Sequence, residues 1–155
     1  GMHEGVIRQT GRPQEVYDDP ASLFVAKFLG SPPINVFEGR IRDGRLLIGE
    51  EAVLLAKGVE DQEVTVGIRP EGFVLQEDGP LGCRLNGVEV MGRDISVVSS
   101  HPAAQSRTIR SIIASENRVD TASETVRFAL LPHKVFLFEK ESGNRICCQT
   151  ERPGE

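Results

Sequence analysis

The stretch TGRPQEVYDDPASLFVAKFLGSPPIN, residues 10–35, contains two helix starts. Pro13 suits the first turn of a helix, where its missing N–H costs nothing. Asp19 followed by Pro20 repeats the signal as an N-cap and a first helical residue. An apolar stripe then recurs at roughly helical spacing, at Leu23, Phe24 and Phe28. The stretch therefore predicts two short helices in succession.

The second predicted helix ends in a sharp exit. Gly30 stands where a helix C-terminus favours a left-handed residue, and two consecutive prolines then prevent the helix from continuing. Such a junction is either a stiff connector or a hinge-like strut that passes orientation between domains, and the residues alone leave both open. We take as candidate junction residues Gly30, Ser31, Pro32, Pro33 and Asn35.

From residue 36 onward the pattern changes from helical to β. The turn pair Asp43-Gly44 predicts a hairpin, and apolar residues alternate through Val64–Ile68 as in a half-buried strand. The stretch from Glu50 to Gly58 suits either a buried strand or a helical turn. The polar tail from Gln149 is expected to fray. Further strands are predicted at 36–42, 45–48, 73–75, 82–91, 95–99, 109–113, 126–130, 135–138 and 145–148. Many short strands separated by turns are typical of a mainly β fold with a small OB-like barrel.

The segment Met2–Gln9 reads as a short hairpin with too few apolar residues to be stable alone. We expect it to be the end of a preceding domain whose sheet it once completed. Its free backbone groups then need new partners, so it should pair with another copy, lie on the barrel or move from its parental geometry. The predicted division is a domain tail and junction at 1–35, a barrel at 36–149 and a polar tail at 150–155.

Composition argues against several functions. The 155 residues carry a net charge of −5 and only 5% aromatic residues, which opposes a nucleic-acid binder. No apolar run approaches the roughly 20 residues that span a bilayer, so no direct membrane insertion is expected. Cys83, Cys147 and Cys148 form no C-x-x-C pair, and the three histidines lie far apart. No catalytic, cofactor-binding or metal-binding residues are therefore predicted.

Five segments together resemble a known family. They are residues 5–17 (GVIRQTGRPQEVY), 30–35 (GSPPIN), 64–71 (VTVGIRPE), 136–139 (FLFE) and 143–145 (GNR). In this order they resemble the C-terminal region of an ABC-transporter ATPase of the sugar-importer class, typified by the maltose-transporter ATPase. In that family the nucleotide-binding domain ends here and a TOBE/MOP-like regulatory barrel, the transport-associated OB module, follows.

The resemblance implies a non-catalytic regulatory and dimerisation domain. ATP and Mg²⁺ would bind the parent protein at its phosphate loop, signature motif and switch histidine, none of which this sequence contains. The implied partners are a second copy through the C-terminal domain and permease subunits through the ATPase domain. The implied location is cytoplasmic and peripheral on the inner face of the cell membrane, with a sugar or related solute as cargo.

The motif Arg69-Pro70-Glu71 is the candidate interface or effector contact. The alternative is a structural corner, because Pro70 ends a strand and its flanking charges can tie a turn together. A second function, a small-oxyanion sensor, is suggested by arginines on β segments, at Arg84, Arg93, Arg107, Arg110, Arg118 and Arg127. An OB-type nucleic-acid binder is the least favoured alternative.

Overall fold

The computed structural model describes residues 9–154. The hairpin predicted at Met2–Gln9 lies outside this range, apart from Gln9. Two short helices open the described chain as expected, α1 (Pro13–Asp18) and α2 (Leu23–Phe28). No helix among these residues is long and apolar enough to cross a membrane.

The predicted start of α2 at Asp19-Pro20 is wrong, because Asp19 belongs to the end of α1. Its N–H donates to Glu15 O at 3.0 Å, and its carboxylate accepts from Arg145 at 2.8 Å. Ser22 is the N-cap of α2 instead, since its Oγ accepts from the Val25 N–H at 3.2 Å.

Seven strands form the first sheet, in the order β11-β10-β4-β1-β2-β3-β12, and every pairing is antiparallel. Glu51–Lys57 is a strand, which resolves the ambiguous segment in favour of β. The members are β1 (Asn35–Arg42), β2 (Arg45–Ile48), β3 (Glu51–Lys57), β4 (Gln62–Ile68), β10 (Val135–Glu139), β11 (Arg145–Ile146) and β12 (Gln149–Glu151).

The two edges of this sheet are consecutive in sequence. Arg145 and Ile146 pair with β10, and three residues later the chain pairs with β3 through Gln149–Glu151. The sheet is therefore bent into a nearly closed barrel by one short segment. The prediction that the tail frays from Gln149 is wrong for these residues, because β3 supplies their hydrogen-bond partners.

The second sheet has five antiparallel strands in the order β5-β9-β6-β7-β8. They are β5 (Phe73–Leu75), β6 (Leu81–Met91), β7 (Asp94–Ser100), β8 (Ile109–Ala114) and β9 (Thr125–Leu130). Residues from both sheets share one buried core, in which Phe37, Ile41 and Leu46 of the first sheet join Leu81, Val97 and Phe128 of the second. The predicted mainly β, OB-like barrel fold is confirmed.

Candidate functional site

Arg69 lies where the two helices meet the barrel, and it is the largest fully buried side chain among the described residues. It follows β4 directly and precedes a short 3-10 turn, Pro70–Gly72. The turn holds its backbone in place, since Arg69 N donates to Lys134 O at 3.0 Å and Gly72 N donates to Arg69 O at 2.8 Å. Pro70 therefore stops the chain from continuing as β4, as the sequence predicts, and the Arg69 side chain reaches the helices from this corner.

The guanidinium of Arg69 donates to three backbone carbonyls of the helical segment. Nη1 reaches Ala26 O at 2.9 Å and Leu29 O at 3.0 Å, and Nη2 reaches Tyr17 O at 3.0 Å. The last carbonyls of a helix lack intrahelical partners and carry partial negative charge. One buried arginine thus satisfies the C-terminal ends of both α1 and α2. We call Arg69 and these three carbonyls the arginine clamp.

Tyr17 connects the clamp to a neighbouring charge pair. Its ring lies 3.8 Å from Arg69 Cζ, a stacked cation–π contact. Its hydroxyl donates to Glu71 Oε2 at 2.6 Å, and Lys134 Nζ donates to the same oxygen at 3.2 Å. The predicted Arg69 and Glu71 therefore belong to one cluster, linked through Tyr17 rather than directly to each other.

Burial and hydrogen bonding both shift the pKa values of this cluster. Burial lowers the pKa of Arg69, and together with the Glu71 carboxylate it raises the pKa of Tyr17. Burial alone would raise the pKa of Glu71, but hydrogen bonds from Tyr17 and Lys134 outweigh it and hold that pKa below its usual value. The raised pKa of Tyr17 keeps its phenol protonated as the donor to the Glu71 carboxylate.

A second arginine attaches the helical segment at another point. Arg145 Nη1 donates to Asp19 Oδ1 at 2.8 Å and to Pro20 O at 3.0 Å. Its Cζ lies 4.8 Å from the Phe136 ring, and Arg69 Cζ lies 5.7 Å from the same ring. The sequence singles out Arg145 only as part of a terminal pattern and gives no sign of this contact.

A small hydrophobic core lies beneath the helices, separate from the main core. Its buried members are Ala26, Ile34, Val36, Phe136 and Phe138, with Leu23 packed against them. Phe136 and Phe138 point to this core, whereas Leu137 between them points to the main core, as alternation along β10 requires. Apolar packing and the two arginines together hold the helices on the barrel.

The predicted junction residues lie beside the clamp. Gly30 has φ +102°, and a Cβ there would approach the Tyr17 ring to 3.1 Å, so both backbone and space favour glycine. The Ser31–Pro32 peptide is cis. Asn35 begins β1 opposite Ile68, the residue before Arg69. The structure thus brings the junction and the Arg69-Pro70-Glu71 motif together.

Several of the arginines suggested as an anion site lie beside carboxylates. Arg110 pairs with Glu89 at 3.2 Å, and Arg127 pairs with Glu51 across the two sheets. Arg84 and Arg127 line one cavity of about 540 Å³, but so do the carboxylates of Glu51 and Glu124. Within residues 9–154 no three His, Cys, Asp or Glu side chains converge as metal ligands would.

The family model of the CysA C-terminal regulatory domain matches residues 35–75. This range contains Asn35 and the whole Arg69-Pro70-Glu71 motif.

Curated relatives extend the similarity to nearly the whole chain. It is 34% identical over 153 residues to the sn-glycerol-3-phosphate import ATP-binding protein UgpC of Escherichia coli K12, and 35% identical to the protein of that name from Shigella boydii. The UgpC of Ruegeria sp. TM1040 is 30% identical over 146 residues. Each match covers 94% of this chain but only 41–42% of the relative. These matches confirm the resemblance to the C-terminal region of a sugar-importer ABC ATPase.

Proposed function

We propose that this chain is the regulatory C-terminal domain of the ATP-binding subunit of an ABC importer, and that it acts by rigid coupling. The observation that carries this proposal is the arginine clamp. In the predicted division, α1 and α2 are the end of the ATP-binding domain and the barrel from residue 36 is the regulatory domain. Arg69 of the barrel binds carbonyls on both helices, so a movement of the helices is passed to the barrel.

The physical basis of such regulation is a difference in contacts between two states. A domain that moves with the helices can favour one arrangement of the ATP-binding subunits over another only if it contacts something differently in each. We propose that this contact is a second copy of the chain, so that the barrels form a homodimer. A strict monomer in sedimentation at high concentration would argue against the homodimer.

The remaining proposed features of the parent protein are supported by the names of the relatives. Their names describe import of sn-glycerol 3-phosphate by an ATP-binding protein, which supports ATP with Mg²⁺ as cofactors of the parent and permease subunits as partners. The proposed location is the cytoplasmic face of the membrane. The proposed cargo is a sugar or a polar relative of one, such as a glycerol phosphate.

A chimera tests the coupling. The region of Escherichia coli UgpC that this chain matches is replaced by the chain, and ATP hydrolysis and sn-glycerol 3-phosphate uptake are measured. We expect both activities, and we expect deletion of residues 36–155 to change the ratio of ATP hydrolysed to solute imported. Arg69→Met should reproduce the change, whereas the control Arg45→Met, at an exposed position of β2, should not. Identical ratios in all four proteins would overturn the proposal.

Two alternative functions make different predictions for ligand binding. A small-oxyanion sensor would release or absorb heat on titration with sulfate, phosphate or molybdate. An OB-type nucleic-acid binder would retain a labelled oligonucleotide at low salt.

A further inference from the structure

Asn35 connects the junction to the edge of the second sheet. Its backbone pairs with Ile68 in the first sheet, but its carboxamide faces β8. The Arg110 N–H donates to Asn35 Oδ1 at 3.0 Å, and Asn35 Nδ2 donates back to Arg110 O at 3.0 Å. Nδ2 also donates to Ile68 O at 3.2 Å. One side chain therefore makes both hydrogen bonds that a neighbouring strand would make to Arg110.

The position of these bonds matters because β8 is an edge strand. Its other side pairs with β7 in antiparallel register, with Arg110 opposite Val98. Backbone groups alternate between the two sides of a strand, so those of Arg110 point away from β7. A carboxamide carries a donor and an acceptor side by side, which aspartate and leucine do not. Asparagine is thus suited to occupy this edge.

The side chain of Arg110 continues the connection outwards. Its Nη1 donates to Oε2 of the exposed Glu89 in β6 at 3.2 Å and to Oγ of the buried Ser96 in β7 at 3.4 Å. Inwards, Ile68 is followed by Arg69, the centre of the arginine clamp. A contiguous series of hydrogen-bonded and covalently linked residues therefore runs from the exposed Glu89 of the second sheet to α1 and α2.

We propose that the Asn35 carboxamide is a coupling device that joins the edge of β8 to the clamp. A change that loosens the edge of β8 at Arg110 would then bias the docking of α1 and α2. By thermodynamic reciprocity, loosening the helices would loosen β8 by the same factor. A regulatory role for this coupling rests on the proposed function, which it deepens. The coupling itself can be measured on this chain alone.

Amide hydrogen exchange on the 155-residue chain tests the coupling directly. In Asn35→Ala the Arg110 amide loses its acceptor, and we expect its exchange to rise about 10-fold or more. The amides of Ile109 and Ser111, which face β7, should change little. If coupling exists, the amides of Val25 and Ala26 in α2 accelerate as well. In the reverse direction, Arg69→Met should accelerate the Arg110 amide.

Two further variants separate coupling from simple destabilisation. Asn35→Asp keeps the acceptor for the Arg110 N–H but loses both donors, so it should protect that amide better than alanine does while still loosening α2. Asn86→Ala, at an exposed position of β6, should change neither region. If the Arg110 amide stays protected in Asn35→Ala, the proposed hydrogen bonds between Asn35 and Arg110 are overturned. If exchange in α2 is unchanged, the coupling is overturned. Either failure leaves the ATPase measurement on the chimera to decide the proposed function by itself.

Discussion

Replacing Arg69 with methionine should detach the helices while leaving the barrel folded. Methionine fills much of the space of the arginine stem but cannot donate to the carbonyls of Tyr17, Ala26 and Leu29. The helices have six residues each, too short to be stable alone in water. Their order therefore depends on the clamp, the small core and Arg145.

The size of the effect follows from the contacts. A hydrogen bond to a charged group contributes ~1.5–3 kcal/mol, and the clamp has three. Part of this sum is offset because burying the arginine charge costs desolvation free energy, and methionine does not have that cost. A net loss of ~3–4 kcal/mol of docking free energy is therefore expected, equal to about 10²–10³ in the docking equilibrium.

Hydrogen exchange with peptide resolution measures this loss. Peptides covering residues 12–29 should exchange about 10²–10³ times faster in Arg69→Met, whereas peptides from β6 and β7 should change far less. Arg69→Lys keeps the charge without the planar fork, so it should be intermediate. The control Arg45→Met should stay within about 0.5 kcal/mol of the parent. Equal acceleration of both regions, or of neither, would refute a clamp that acts locally.

Two more predictions concern the barrel. Gly79→Ala would place its Cβ against the Phe128 backbone, which cannot move aside. It should lower the free energy of unfolding in urea by ~1–3 kcal/mol. In the control Gly87→Ala the new Cβ meets nothing within 4 Å, so the free energy of unfolding should hardly change. The pKa of His101 lies below 6.5 because the ring is partly buried, and its neutral Nδ1 accepts from the Ala103 N–H at 3.0 Å. The unfolded chain takes up the proton first, so stability should fall as pH drops below about 6.5 towards the folded pKa. His101→Asn keeps an acceptor but cannot titrate, and its unfolding midpoint should lose this dependence on pH; a midpoint as pH-dependent as that of the parent would contradict the assignment.

Much of the strand content is predictable from local pattern. Alternation identifies Val64–Ile68, and Asp43-Gly44 identifies the β1–β2 hairpin because both residues have positive φ. Glu51–Lys57 is ambiguous by pattern because its strand character depends on β2 and β12, its partners on either side. Gln149–Glu151 is too short and too polar to be recognised locally, and only pairing with β3 makes it a strand.

The site is predictable in part. The motif around Arg69 can be singled out from the sequence, but its partners cannot. Three of them are backbone carbonyls, which every residue possesses and which therefore leave no sequence signal. A further partner, the ring of Tyr17, lies 52 residues away along the chain and contacts Arg69 only because α1 packs beside the turn after β4. Glu71 belongs to the same motif, but its link to Tyr17 depends on the same long-range packing.

The way the first sheet closes has a consequence for synthesis of the protein. Residues 145–151 supply both edge strands, and Glu151 pairs with Leu55, far earlier in the chain. Until those residues leave the ribosome, β10 and β3 each present an unpaired edge that another strand can join. Closing a contact between distant residues is also slow compared with forming a local hairpin. The nascent protein is therefore most exposed to aggregation just before its last strands emerge.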